Sequence, residues 1–303
     1  MSTKCITTKP LDFDGSDPAT FKVCTFLVNV LSHMYDQWVL AGSPIPPTPF
    51  SWQPANACPV TTDFKVADYD FGPLIWSTFN YGKKRGVTEP FASVVRSKAG
   101  GSLYLVYRGS KSSDDFLADD ETTMVPYYAP TPDPPSDVKV EKGWYAVHYG
   151  LICELRTQLR QIGGAGQKLI VTGHSLGSAL ATLAVPEAVA NNMQVRHYNS
   201  ASPMVGPESF RAYYESLREI GSSPGLLKET FRLVNTADSV PKFPQKPAGY
   251  VHVATEISFN ASYSDEFGIP DEKKIHDPCC SYAYAIYNPA KPCNPAYDSC
   301  ATK

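Results

Sequence analysis

The sequence predicts an α/β fold: one domain with a mainly parallel central sheet and helices on both faces of that sheet. Short apolar runs of the buried-strand type recur along the chain, and helical segments separate them. Such alternation is typical of parallel strands joined by crossover helices. With 303 residues, 43% of them hydrophobic, the chain can bury one large core. No Gly/Ser-rich or charged linker divides it, so residues 1–303 are predicted to form a single domain.

Helices are predicted in residues 21–40, 144–162, 178–190 and 208–220, and the third is expected to be interrupted or kinked at Pro186. Strands are predicted in residues 64–69, 91–96, 102–107, 168–172, 195–199, 231–235 and 250–259. The Pro-rich residues 42–59 are expected to form an extended surface loop. Residues 1–60 should therefore pack on the domain as a helix and a loop, with residues 287–303 as a cysteine-containing tail.

The charge balance argues against a nucleic-acid partner. The chain has 27 basic and 30 acidic residues, and its short positive run from Lys83 to Arg85 is typical of a solvated loop. No apolar stretch approaches the roughly 18 residues that would indicate a membrane span. The first residues, Met1 to Cys5, lack the apolar run of a signal peptide. The chain is therefore expected to be a mature secreted form with an added Met, or else a cytoplasmic protein.

The cysteines favour the secreted alternative. The chain has eight, and no C-x-x-C pair is present that could hold zinc, so no metal site is predicted. An even number clustered at both ends is typical of disulfides that staple the termini, with buried reduced thiols as the alternative. The eight are Cys5, Cys24, Cys58, Cys153, Cys279, Cys280, Cys293 and Cys300.

The motif Gly173-His-Ser-Leu-Gly177 predicts that Ser175 is a nucleophile. It fits the G-x-S-x-G elbow of α/β-hydrolases, a strained strand-to-helix turn that presents the serine Oγ outward and whose small residues let strand and helix pass closely. An apolar strand precedes it and an Ala-rich helix follows, which is the context that the motif requires. The turn also places Ser175 at a helix N-terminus, where the Leu176 N–H can stabilise a developing oxyanion.

A second match to the same pattern, Gly221-Ser-Ser-Pro-Gly225, is expected to be a loop. It follows a polar helix, contains Pro224 and has no buried strand before it. Ser223 is therefore not the predicted nucleophile.

On this fold, a carboxylate and then a histidine follow the nucleophile along the chain. His276 lies in a polar, Pro-flanked segment, as a loop-borne base should, whereas His197 and His252 lie in strand patterns and are expected to be structural. Asp238 directly follows a buried strand, at the carboxyl end where active sites of open α/β sheets gather. The sequence therefore predicts a triad of Ser175, His276 and Asp238.

The remaining histidines and acids are weaker candidates. His174 is next to the nucleophile but should point elsewhere, and His33 and His148 are expected to be packing residues. The carboxylates that follow Asp238 have no strand before them; they are Asp265, Asp271 and Asp277.

Over roughly residues 63–286, the chain resembles the fungal-type, class 3 lipase family. The resemblance rests on several segments in the family's order. They are Leu-Tyr-Leu-Val-Tyr-Arg-Gly-Ser (103–110), Asp-Phe-Leu-Ala-Asp (115–119), Val-Glu-Lys-Gly-Trp (140–144), the elbow (173–177), Ala-Ser-Pro-Met-Val-Gly (201–206), Asn-Thr-Ala-Asp-Ser-Val-Pro (235–241) and Tyr-Val-His-Val-Ala-Thr-Glu (250–256).

The resemblance implies the same triad of Ser175, Asp238 and His276. It also implies that Ser110 is the second oxyanion donor, through its N–H and its hydroxyl, beside the Leu176 N–H. An ordinary strand-end turn is the alternative for Ser110.

The segment after Ser110, residues 111–121, would be a short lid, with Phe116 and Leu117 as candidate substrate contacts. Five carboxylates lie between Asp114 and Glu121, around an apolar patch of three residues. Because lipid-facing surfaces need a broad apolar face, this lid predicts activity on dissolved short-chain esters and only modest activation by emulsions.

The predicted function is hydrolysis of a carboxylic ester through an acyl-enzyme, which needs neither a metal nor an organic cofactor. An acylglycerol lipase or esterase is favoured, with a phospholipase or galactolipase, or a feruloyl-type esterase, as alternatives. The expected partners are a lipid or other ester substrate and, transiently, a lipid interface. A catalytically inactive hydrolase fold that acts as a binding protein is the alternative of another class.

Overall fold

The computed structural model describes residues 4–81, 84–110, 123–129, 134–220, 223–244 and 249–301. Within these residues, eight strands form one sheet. They are β1 (Lys4–Lys9), β2 (Tyr69–Tyr81), β3 (Lys84–Ser97), β4 (Leu103–Tyr107), β5 (Lys168–His174), β6 (Gln194–Ser200), β7 (Leu227–Asn235) and β8 (Thr255–Ser264).

The strands lie in the order β1-β8-β7-β6-β5-β4-β3-β2. The five strands from β4 to β8 are parallel to one another. At the two edges of the sheet, β1 pairs antiparallel with β8, and β2 and β3 pair antiparallel with each other and with β4. The expected mainly parallel sheet is confirmed. Because the carboxyl ends of the parallel strands share one edge, the segments that follow them meet above the middle of the sheet.

The helices longer than one turn are α1 (Pro18–Leu40), α2 (Lys142–Ile162), α3 (Leu176–Ala190) and α4 (Glu208–Ser216). Three short helices follow near the C-terminus: α5 (Glu272–His276), α6 (Tyr284–Tyr287) and α7 (Tyr297–Ala301). Of the two expectations for Pro186, an interruption or a kink, the interruption is wrong, because α3 continues through Pro186 to Ala190. Nearly all of α3 is buried, so tertiary packing offsets the cost of an interior proline.

Helices cover both faces of the sheet, as the alternating side chains of β4 show. Leu103 and Leu105 join a cluster with α2 and α3, whereas Tyr104 and Val106 pack against α1 on the opposite face. Successive strand residues point to opposite faces, so each face of the sheet has its own core. Within the described residues, no helix has the length and apolar content to cross a membrane.

Two strand predictions differ from the structure, and two strands of the central sheet were not predicted. Residues 64–69 lead into a 3₁₀ turn (Val66–Asp68), and residues 250–259 are divided into Tyr250–Val251 and β8. The edge strands β1 and β2 were missed. In β2, Gly72 and Pro73 interrupt the apolar pattern at a shift of register against β3, which is where sheets tolerate such residues.

The predicted helix 208–220 ends early, at Ser216. Two short antiparallel strands, Glu219–Ile220 and Ser223–Pro224, follow it. Gly225 is close-packed there, because a Cβ at this position would lie 2.2 Å from the Leu217 carbonyl oxygen. Ser223 and Pro224 of the second G-x-S-x-G match therefore lie on a short strand, and not at a strand-to-helix turn.

The expected disulfides are confirmed for six of the eight cysteines. The bonds are Cys5–Cys293, Cys58–Cys279 and Cys280–Cys300. Cys24 and Cys153 are unpaired. Cys24 is buried in α1, and burial raises the pKa of its thiol to about 12. The bonds join the N-terminal segment and the C-terminal tail to the chain around His276.

Candidate active site

Ser175 lies at the sharp turn between β5 and α3, with φ of 57° and ψ of −129°. A positive φ is strained for a residue with a Cβ, and such strain persists only where the surroundings enforce it. The Ser175 N–H donates to the Ser200 carbonyl at 3.1 Å, which ties the turn to β6. The backbone conformation is that of a nucleophile elbow.

The glycines on both sides of Ser175 are required by close packing. A Cβ at Gly173 would lie 2.2 Å from the Gly177 carbonyl oxygen, and one at Gly177 would lie 2.4 Å from the Arg108 carbonyl oxygen. Since real Cβ contacts are never this short, any larger residue would push strand and helix apart.

His276 lies at the end of α5 and reaches two of the predicted partners. Its Nε2 is 2.8 Å from the Ser175 Oγ, and its Nδ1 is 2.7 Å from the Asp238 Oδ2. Since a carboxylate only accepts, Nδ1–H donates to Asp238, and the neutral ring accepts the Ser175 hydroxyl at Nε2. The structure therefore brings the three residues of the predicted triad into one hydrogen-bonded chain.

Asp238 is fully buried in the turn after β7. Besides His276, it accepts hydrogen bonds from the Val240 N–H at 2.9 Å and from the Tyr282 hydroxyl at 2.7 Å. Burial alone would raise the pKa of Asp238, but the His276 charge and these hydrogen bonds outweigh burial and hold the pKa below its usual value. Asp238 is thus ionised at neutral pH. Sequence reasoning missed Tyr282, which carries no motif.

His174 points away from the nucleophile, as predicted, and still contacts the site. Its Nε2 lies 2.9 Å from the His276 carbonyl oxygen and its Nδ1 lies 2.9 Å from the Ser200 Oγ. Burial first, and the neighbouring His276 charge second, lower the pKa of His174 to about 3. The ring is therefore neutral: Nε2–H donates to His276, and Nδ1 accepts from Ser200.

The loop after β4 passes directly beside the elbow. A Cβ on Gly109 would lie 3.4 Å from the Ser175 Cβ, and Ser110 is the next residue. Arg108 anchors this loop: its buried guanidinium donates to the Gly109 carbonyl at 2.9 Å and to the Glu89 Oε2 at 2.6 Å. Leu176 is the first residue of α3, where helix geometry offers its N–H no intrahelical acceptor.

The weaker candidates lie elsewhere. The carboxylate of Asp277 accepts the Cys279 and Cys280 N–H groups, and Asp271 caps α5. His197 bonds the Tyr214 hydroxyl, and His252 bonds the Pro241 carbonyl. The candidate lid contacts Phe116 and Leu117 lie outside the described residues.

Metal-ligand side chains gather at one place in the described part of the chain, formed by Cys279, Cys280 and Cys300. Their sulfurs are all engaged in disulfides. A disulfide sulfur is not the thiolate that binds a metal ion, so these cysteines do not form a metal site in this state.

Comparison with known proteins agrees with the fold and the motifs. The family model described as Lipase (class 3) matches residues 104–247. A lipase of Rhizomucor miehei is 28% identical over 77% of this chain and 56% of its own length. Phospholipase A1-II 6 of Oryza sativa subsp. japonica is 26% identical over 57% of this chain and 47% of its own. The secreted mono- and diacylglycerol lipase A of Penicillium cyclopium is 29% identical over 62% of this chain and 58% of its own. The chain spans about half the length of these relatives.

Two solved structures show the same fold. The triacylglyceride lipase of Rhizomucor miehei superposes with a TM-score of 0.54 at 21% identity, over 96% of this chain and 98% of that one. A nonglycosylated lipase of Yarrowia lipolytica gives 0.56 at 19% identity, over 85% and 82%. These solved structures show that the chain has the α/β-hydrolase fold, and the family model makes residues 104–247 similar to the class 3 lipases.

Proposed function

We propose that the protein is a serine carboxylic ester hydrolase, with Ser175 as nucleophile, His276 as base and Asp238 as the acid that orients the base. The hydrogen-bonded chain from Ser175 through His276 to Asp238 carries this proposal. The Ser175 Oγ attacks the ester carbonyl while His276 Nε2 takes its proton, and the same proton then passes to the leaving alcohol. A water molecule hydrolyses the resulting acyl-enzyme by the same route.

The surroundings of the triad support these roles. Asp238 is buried, ionised and held by Tyr282 and the Val240 N–H, so it can stabilise the positive charge that His276 acquires. His174 is kept neutral by burial and places no second positive charge beside the base. The strained elbow holds Ser175 before substrate arrives, so little reorganisation is needed during the reaction.

For the oxyanion, the proposal assigns the Leu176 N–H and the N–H and hydroxyl of Ser110. The position of Leu176 at the start of α3 and the packing of Gly109 against Ser175 support it. Each such donor is typically worth about 3 kcal/mol of transition-state stabilisation. The reaction as proposed requires neither a metal nor an organic cofactor.

The proposed substrate is a lipid ester, acylglycerol first, with phospholipid, galactolipid or feruloyl esters as alternatives. Relatives named as acylglycerol lipases and as phospholipases A1 both match, so the family does not choose among head groups. Phe116 and Leu117 remain proposed lid contacts on sequence grounds. Secretion is also proposed: three disulfides require an oxidising compartment, and the Penicillium relatives are named as secreted.

Hydrolysis of p-nitrophenyl butyrate and octanoate tests the proposal. The wild-type protein should turn over both esters, Ser175→Ala should lose nearly all turnover, and Ser223→Ala should retain it. Loss with Ser223→Ala alone would make the other G-x-S-x-G match the nucleophile. No turnover by a folded wild-type protein would favour the binding-protein alternative.

A further inference from the structure

An open cleft of about 560 Å³ lies beside the triad histidine. Gly109, Ser110, His174 and His276 line one of its walls. Small-molecule sites commonly have volumes of about 300–1,000 Å³. The cleft is therefore large enough for part of a substrate, and His276 is one of the residues that line it.

Helix α1 forms the facing wall with a polar stripe. Asn29, Ser32, His33 and Asp36 line the cleft, at the i, i+3, i+4 and i+7 spacing that places residues on one face of a helix. A polar helical face is most often simply solvated. This one shares its cleft with Ser110 and His276.

The stripe is rich in hydrogen-bond acceptors. The Ser32 hydroxyl donates to the Val28 carbonyl at 2.9 Å, and the Asn29 amide nitrogen donates to the Thr25 carbonyl at 2.8 Å. With these donors engaged inside the helix, the side-chain oxygens of Asn29 and Ser32 are the atoms suited to meet a ligand. A group carrying O–H donors matches such a wall.

The charges in the cleft disfavour an anionic group. Among the described residues, its walls include the carboxylates of Asp36 and Asp277 and the ammonium group of Lys273, besides the half-buried histidines His33 and His276. A phosphate would face more negative than permanent positive charge. An acyl chain is also a poor occupant, because it would strip water from these polar groups without replacing their hydrogen bonds.

We propose that this cleft binds the alcohol half of the ester and selects neutral, hydroxylated head groups of the glycerol or sugar class. The inference rests on the proposed ester hydrolase, since the leaving oxygen must lie at His276 Nε2 to receive its proton. The α1 stripe then acts as a specificity element that contacts the head group and takes no part in proton transfer.

Esters that share one acyl chain and differ in the alcohol test the inference. The methyl, glyceryl and glucosyl esters of octanoic acid, and an octanoyl lysophosphatidylcholine, are compared by kcat/KM in soluble form. Wild type should favour the glyceryl and glucosyl esters over both others. Ser32→Leu and His33→Leu should lower the glyceryl-to-methyl ratio of kcat/KM about five- to tenfold, the effect of losing a hydrogen bond between neutral partners.

Thr157→Leu on α2 is the matched control, because Thr157 also donates its hydroxyl to the carbonyl four residues earlier, at 2.9 Å, and lies exposed outside the cleft. It should leave the ratio unchanged. A glyceryl-to-methyl ratio that Ser32→Leu and His33→Leu do not move would overturn the cleft assignment, and preference for the phosphocholine ester would overturn its neutral character. Failure of wild type to hydrolyse even the methyl ester would instead refute the proposed function.

Discussion

Ser175 and His276 are held in place by different kinds of structure. Ser175 lies in a strand-turn-helix unit that a few consecutive residues specify, and Gly173 and Gly177 let its two halves approach. His276 lies on a five-residue helix beyond the end of β8. Its position depends on distant residues: His174 bonds its carbonyl, Asp238 bonds its ring, and disulfides follow it directly along the chain.

The proposed nucleophile, Ser175, is thus positioned by local sequence, whereas the proposed base, His276, is positioned by tertiary and covalent links. A local motif is held by contacts between residues close in sequence. A residue on a short terminal helix or loop keeps its position only while its tertiary hydrogen bonds and nearby disulfides remain intact. Changes made far from His276 in sequence should therefore reach the chemistry through the base more readily than through Ser175.

The largest expected effect is on the triad itself. Ser175→Ala and His276→Ala should each lower kcat by about a thousandfold or more and leave the fold intact, because the two residues act as one unit. Combining them should cost little beyond either single change. Single-turnover hydrolysis of a p-nitrophenyl ester and far-UV circular dichroism measure both points. Additive losses in the double variant would show that the two residues do not act together.

Removing the disulfides one at a time distinguishes a bond that positions His276 from one that only stabilises the fold. Replacing Cys58 and Cys279 by Ala should cost about 2–4 kcal/mol of unfolding free energy and also lower kcat, since Cys279 lies three residues after His276. Replacing Cys5 and Cys293, which join β1 to the tail, should cost comparable stability and leave kcat unaffected at a temperature where both variants are folded. Urea unfolding and kcat on a soluble ester decide the comparison. Equal kcat in the two variants would mean that the bond near His276 does not position the base.

The same division explains what could be predicted from sequence. Strands β4 and β5 contain short continuous apolar runs, which identify buried parallel strands, and the elbow that follows β5 has a pattern of its own. The edge strand β1 was missed because its residues are mostly polar and exposed, and β2 was missed because Gly72 and Pro73 interrupt its apolar pattern. A strand that is buried on both faces is recognisable in the sequence as an apolar run, whereas a half-exposed edge strand is not.

Within the site, the order along the chain and the strand context selected Asp238 and His276. The residues that support them were not predictable, because Tyr282, His174 and Arg108 act through contacts that only the folded chain creates. Their residue types fit many ordinary core positions. Sequence identifies groups with chemical roles more easily than the groups that hold them.

Tyr282→Phe tests one of those supports. It removes a 2.7 Å hydrogen bond to Asp238 and should lower kcat/KM by about tenfold, since hydrogen bonds to charged groups are worth about 1.5–3 kcal/mol. Because the pKa of Asp238 is lower in the folded protein than its unfolded value of 3.8, ionised Asp238 contributes stability above pH 3.8. This contribution is lost as the pH falls through the pKa of the folded state. The variant should therefore lose less stability than wild type on acidification below pH 3.8.

Tyr263→Phe is the control for that change, because Tyr263 is equally buried and its hydroxyl bonds the Asn294 N–H, away from the triad. It should affect stability alone. Equal losses of kcat/KM in Tyr282→Phe and Tyr263→Phe would show that Tyr282 contributes to packing and has no specific effect on Asp238.

The smallest expected effect contrasts two buried histidines. His174 and His148 both have a pKa lowered to about 3, chiefly by burial. Both ring nitrogens of His174 are bonded, whereas those of His148 have no partner among the described residues. Between pH 6.5 and 3, each of these histidines binds a proton in the unfolded chain but not in the folded chain. The unfolding free energy therefore decreases as the pH is lowered, by up to about 1.4 kcal/mol per pH unit for each histidine.

His148→Leu should abolish the proton binding of His148 in the unfolded chain, and it should also remove the free-energy cost of burying two unsatisfied ring nitrogens in the folded protein. We expect it to raise the unfolding free energy by about 1 kcal/mol at neutral pH and by more at pH 5, with kcat unchanged. His174→Leu should flatten the same pH dependence but lower kcat, because it releases the His276 carbonyl. Urea unfolding at the two pH values, beside ester turnover, separates these outcomes. A His148→Leu variant that is destabilised at both pH values and keeps the wild-type pH slope would show that His148 binds a proton equally in the folded and unfolded chains, which would contradict the lowered pKa.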